Sequence, residues 1–166
     1  MKKTVFVCAI LCSFACAAFA ADPAEGFWIS IDEKTGIATA GWEFYQNNGV
    51  LQAKMLSVVG ISAAAIATKC KESYRGFPIS GKVNQMSLLG TPWIFGLSRE
   101  STGQWVKGNV INPEDGNMYR CRVMYHPADG NRYKTEVLEI RGEIGLGIGY
   151  SQFWQRSTKE RAESLR

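Results

Sequence analysis

Histidine is almost missing from this 166-residue chain, in which His126 stands alone. Nucleophile–histidine catalysis would have to use that one residue, and a zinc site would lack the ligand types it prefers. His126 comes immediately before Pro127, at the end of a strand-like run. A solvated side chain is expected there, not a general base. Cysteine is nearly as scarce beyond residue 20, where only Cys70 and Cys121 remain. Two cysteines of an exported chain can pair in an oxidising compartment. Their bridge would close a loop of about 50 residues and contribute about 4 kcal/mol by chain entropy. The other reading is two separate buried thiols. Cys121 falls inside a strand, which argues against a nucleophile. Excess charge is also missing: beyond residue 20 there are 17 Lys and Arg against 15 Asp and Glu. That balance excludes the strongly basic face that nucleic-acid binding needs. The carboxylate pairs Glu114/Asp115 and Glu136/Glu139 read as solvated surface, with no local sign of the apolar site an acid–base pair requires. No catalytic residue, metal or cofactor is therefore assigned, and the chain is expected not to be an enzyme.

What is present begins with a leader. Lys2 and Lys3 precede an uncharged, mostly apolar stretch from Thr4 to Ala17, and Ala18-Phe19-Ala20 has the small-x-small form of a cleavage site. Residues 1–20 are read as a secretory signal peptide, which predicts a periplasmic or secreted protein. Ser13-Phe14-Ala15-Cys16 loosely matches the motif in which a cysteine becomes a lipidated first residue. Lipidation at Cys16 is the alternative, and it would anchor the protein to the envelope membrane.

Residues 21–156 alternate in the period of β-strands, broken by turn residues. Expected strands cover 26–32, 37–45, 50–59, 105–111, 117–125, 135–142 and 143–156, with one or two more between Met86 and Leu97, kinked at Gly90 and Pro92. Asn47-Asn48-Gly49 is a hairpin signal, because Asn-Gly fits the primed turns that match strand twist. In 105–111, strict alternation puts Trp105, Lys107, Asn109 and Ile111 on one face. The alanine-rich stretch Ile61 to Thr68 predicts a short helix capped by Ser62. Residues 157–166 read as a charged tail, a frayed helix or disordered end. About eight short strands joined in order by hairpins predict an all-β fold, a single antiparallel meander barrel with one short helix; a β-sandwich is the alternative.

Such a barrel is just wide enough for side chains or one small ligand. Gly145, Gly147 and Gly149 recur at every second residue. They leave one strand face bare, where another backbone can approach, a bulge can form or a cavity can find room. The strict alternation does not fit a phosphate-binding G-x-G-x-x-G loop. Five tryptophans lie on five different strands, some of them core and some expected to line the cavity. The candidate ligand-binding residues are Trp28, Trp42, Trp93, Trp105, Tyr119, Arg141 and Trp154. For Arg141 two roles stand open, a charged anchor of the cavity or a structural arginine stacked on a tryptophan.

These residues fall in a telling order. Gly26-x-Trp28 is followed by Leu89-Gly90 and Gly96-Leu97. Then come Trp105-x-x-Gly108-x-x-x-x-Pro113-x-x-Gly116-x-x-Tyr119, Leu138-x-x-Arg141-Gly142-x-x-Gly145, and Ser151-Gln152 with Trp154-x-Arg156. The pattern resembles the exported bacterial family catalogued as domain of unknown function twenty-one forty-seven. Asn112 stands where that family ordinarily has aspartate, the stretch from Gly60 to Lys82 departs most, and a paired-cysteine feature is reduced to Cys70. The resemblance implies a lipocalin-like, calycin-type barrel with a hydrophobic ligand, and it carries over no catalytic residue. Two functions remain: binding of a small apolar or amphipathic ligand in the envelope, or a non-catalytic structural or interaction module whose barrel is filled.

Overall fold

A computed structural model describes residues 21–145 and 148–166. The leader 1–20, with Cys16, and Gly147 of the glycine run lie outside the described residues. Eight strands follow one another: β1 Gly26–Ile31, β2 Ala38–Asn47, β3 Val50–Val58, β4 Pro92–Ser101, β5 Gln104–Asn112, β6 Asn117–His126, β7 Val137–Gly145 and β8 Ile148–Arg156. Each pairs antiparallel with its sequence neighbour, and β8 returns to β1. The sheet is a closed meander barrel, as expected from the hairpin order, and not a sandwich.

Local chemistry explains the tightest corner. Asn48 and Gly49 both take positive φ, 52° and 76°, between the paired residues Asn47 and Val50. Positive φ at both central positions defines the primed turn that matches strand twist. Three local expectations need correction. The alanine-rich segment is not helical: Ile66 forms a β-bridge with Ser87, the Ala67 amide donates to Met86, and the Leu88 amide donates to Ala65. Pairing with residues 86–88 uses backbone groups that a helix would have turned inward. The Ser62 hydroxyl accepts from the Ala64 amide, a turn contact and not a cap. The helix lies instead in the charged tail, as α1, Lys159–Glu163, capped by Thr158. In β5 the alternation breaks at Lys107, whose φ is 62°. Trp105 pairs with Val123 and Gly108 with Cys121, so a bulge separates them. Trp105, Gly108 and Val110 thereby share the inner face, while Ile111 turns outward.

The tail helix is docked, not frayed. Ala162 is fully buried, and its carbonyl accepts from the Ser57 hydroxyl at 2.6 Å. A Cβ on Gly41 would lie 1.8 Å from that carbonyl oxygen, so the absence of a side chain there creates the seat. The connection 59–91 covers the outer face of β4. Phe77 packs edge-on against Phe95 at 5.3 Å and lies 6.3 Å from Trp93.

One end of the barrel is sealed. Trp28, Leu97, Trp105, Val123 and Leu138 fill it. The segment Asp22–Glu25 lies across them. The Asp22 carboxylate accepts from the Trp105 indole, the Ala24 amide and the Gly103 amide, each at 3.0 Å, and pairs with Arg99. Arg156 stacks on Trp28 at 3.9 Å, donates to the carbonyls of Glu25 and Pro23, and binds Glu136. The Tyr125 hydroxyl donates to the other oxygen of Glu136.

Two outcomes are expected. Arg156→Lys keeps the charge but loses the planar fork and the stack, so unfolding free energy falls by about 2–3 kcal/mol, measured by urea titration. The Tyr125 hydrogen bond, with Arg156, holds the Glu136 carboxyl below its ordinary value of 4.5. A lowered folded value means that this stabilisation is complete above about pH 4.5 and is lost as pH falls through the folded value. Glu136→Gln should therefore flatten the acid limb of a stability–pH profile, read by thermal melts.

Candidate functional site

The other end is open and leads into a cavity of about 920 Å³. Its inner wall is mainly apolar, with Trp42, Met55, Ile94, Val110, Ile140 and Trp154 on six different strands. Pairing explains why they converge. Trp42 opposes Met55, Ile94 opposes Val110, and Ile140 opposes Gln152, so each pair projects to the same side of the sheet. Trp42 stacks on Trp154 at 4.8 Å, and Phe44 meets the Trp154 ring edge-on at 5.9 Å. These rings lie between the sealed end and the cavity. The mouth carries exposed isoleucines, Ile61, Ile66, Ile144 and Ile148, beside Lys69 and Glu114.

Glycine contributes the space. Gly142 lies in the cavity wall, and a Cβ built there would meet only Tyr119 and Val110, each at 3.8 Å. Of the alternating glycines, Gly149 serves close backbone approach, since its Cβ would lie 2.3 Å from the Gly142 carbonyl oxygen. Gly145 takes φ of 119° beside a register shift in the β7–β8 ladder.

The seven predicted ligand residues separate into three groups. Trp42, Tyr119 and Trp154 line the cavity. Trp28 and Trp105 are interior but fully buried in the sealed end, and Trp93 lies on the outer face beneath residues 59–91, its indole donating to the Leu88 carbonyl at 2.8 Å. Arg141 is also on the outer face. It bonds Glu143 at 3.0 Å and Ser151 at 3.4 Å, and it neither lines the cavity nor stacks on a tryptophan. Arg156 holds the stacked role. Sequence reasoning passed over Gln152 and Gly142, although their alternation with Trp154 and Ile140 already placed them on the inner face.

His126 is not simply solvated. It stacks on Tyr133 at 4.7 Å, and its Nε2 lies 2.9 Å from Glu139, which also accepts from Ser151 at 2.7 Å. Glu139 bridges the other two, so no hydroxyl is bonded to the imidazole, and the cluster lies outside the barrel, away from the cavity.

Comparison with known proteins agrees with this geometry. The profile of a family described as "Uncharacterized protein conserved in bacteria (DUF2147)" matches residues 26–156. Among solved structures, protein HP1028 from the human pathogen Helicobacter pylori, described as belonging to the lipocalin family, superposes with a TM-score of 0.64 at 19% identity. The alignment covers 86% of this chain and 88% of that one. At such identity the likeness is one of fold. No curated protein matches the chain.

The two cysteines of the described chain are separate free thiols, not the bridge the sequence allowed. Cys121 occupies an inner-face position of β6, whereas Cys70 lies in the external connection near Tyr74. Burial pushes the Cys121 thiol up to about 12 and raises Cys70 as well. At pH 8, protein beginning at residue 21 should leave both thiols unmodified by a disulfide reagent while folded, and release two equivalents in denaturant. A bridged protein would release none.

Proposed function

The chain belongs to the bacterial family DUF2147, and on that footing we propose that it is an exported, non-catalytic barrel that binds one small apolar or amphipathic molecule in the cell envelope. One observation carries the proposal: the interior is not filled by its own side chains. An apolar cavity with few polar groups, open at one end, is the usual form of a small-ligand site. A filled barrel would have favoured the envelope interaction module instead. The lipocalin-like fold is consistent with a hydrophobic ligand. The leader features of residues 1–20 support export to the periplasm or beyond, with attachment through Cys16 as the alternative. Binding without catalysis is supported by the chemistry of the inner wall. Its polar side chains include the Gln152 amide and the hydroxyls of Ser30, Thr39 and Tyr119, while the His126–Glu139 pair lies on the other face.

A neutral fluorescent probe, N-phenylnaphthylamine, tests this. Energy transfer from Trp42 and Trp154 should saturate at one probe per chain. Gly142→Phe should place a ring in the cavity without backbone strain, since its Cβ contacts are ordinary. Probe affinity is expected to fall at least about ten-fold with an unchanged melting temperature, a loss on the order of one displaced apolar contact set. Unsaturable binding, or binding indifferent to the added ring, would return the protein to the interaction-module reading.

A further inference from the structure

One side chain of the cavity wall offers hydrogen-bond donors that no described residue accepts. Gln152 faces inward on β8, opposite Ile140, and is exposed although it lies within the barrel. Its amide does not turn freely, because the Trp154 Nε1–H donates to Oε1 at 3.0 Å. An indole nitrogen only donates. The atom it holds must therefore be the carbonyl oxygen, and the amino group, with two N–H donors, points elsewhere. Among the described residues none accepts from that Nε2.

The remaining polar groups narrow the choice. The Ser30 and Thr39 hydroxyls bond each other at 2.7 Å. Lys69 and Glu114 are exposed on the loops of the mouth, and among the described lining residues no cation stands beside Gln152 or Trp42. A carboxylate or phosphate carried to that depth would be desolvated without a counter-charge, at a cost of several kcal/mol. A hydrocarbon would leave the donors unmet. A carbonyl oxygen accepts from such donors and brings no donor of its own.

We propose that the cavity selects a neutral apolar molecule that presents a carbonyl oxygen, of an ester or a ketone, to the Gln152 amino group. The assignment rests on the binding-barrel reading and deepens it. Gln152 is then the residue that sets specificity, and Trp154 positions it.

The test is displacement of N-phenylnaphthylamine by probes matched in length: methyl dodecanoate, dodecyl methyl ketone, tetradecane and dodecanoate. Gln152→Leu removes the amide. Gln152→Glu keeps an acceptor for Trp154 but replaces the donors, so a failure of either variant to fold leaves the other. Each variant is expected to weaken the ester or the ketone about ten-fold and to leave tetradecane within about two-fold, as the loss of one hydrogen bond in an apolar site requires. Dodecanoate should bind the native protein more weakly than its ester at pH 8. Whichever carbonyl compound loses more in the variants identifies the source, ester or ketone. If both variants leave the carbonyl compounds unaffected, or if dodecanoate binds best, the carbonyl assignment falls while the binding barrel stands. If neither the reporter nor any of the four molecules binds, both fall.

Discussion

A closed barrel depends on its seam, and here the seam is thin. β8 meets β1 in register at only two pairs, Trp28 with Arg156 and Ile29 with Gln155. The Arg156 guanidinium compensates for the short ladder by stacking on Trp28 and holding the carbonyls of Pro23 and Glu25. One side chain thereby joins the last strand, the first strand and the segment that crosses the sealed end. The planar fork suits this task, since it presents several donors in one plane and a flat face to the ring. Asp22 performs the matching role for β5 and the β4–β5 turn, through Trp105 and Gly103.

The cavity follows from how the aromatics are spent. Trp28 and Trp105 go to the sealed end, and Trp93 goes to the outer face under the long connection. Only Trp42 and Trp154 remain for the wall, and they stack on each other. With Gly142 and Ala40 also facing inward, the open half lacks the side-chain volume to fill itself. Close packing at one end and space at the other thus come from the same residue pattern, and stability resides where the ligand does not.

Much of this was legible from residues. Period-two alternation placed the strands, and Asn48-Gly49 placed a primed turn. The faces were harder, because alternation says that neighbours differ but not which one is inside. Trp93 follows the rule and still faces outward, where residues 59–91 bury it. One left-handed residue, Lys107, reversed the faces within β5. The stretch from Ile61 to Thr68 has good helix formers, yet its backbone bonds go to residues 86–88, a long-range partner that local propensity does not register. Arg141 and Arg156 both lie within strands, and nothing local told the stacked arginine from the surface one.

The thin seam also governs the order of events in making the protein. Its two pairing partners stand at opposite ends of the chain, so the ribosome completes Arg156 after every other strand residue. Until then no circle of strands can exist, and β1 keeps an edge without its final neighbour. Hairpins between successive strands can form as the chain lengthens, but the joining of β8 to β1 spans nearly the whole sequence and carries the largest loop-closure entropy. Synthesis therefore delivers an open ribbon, and the container comes into being only at the last step.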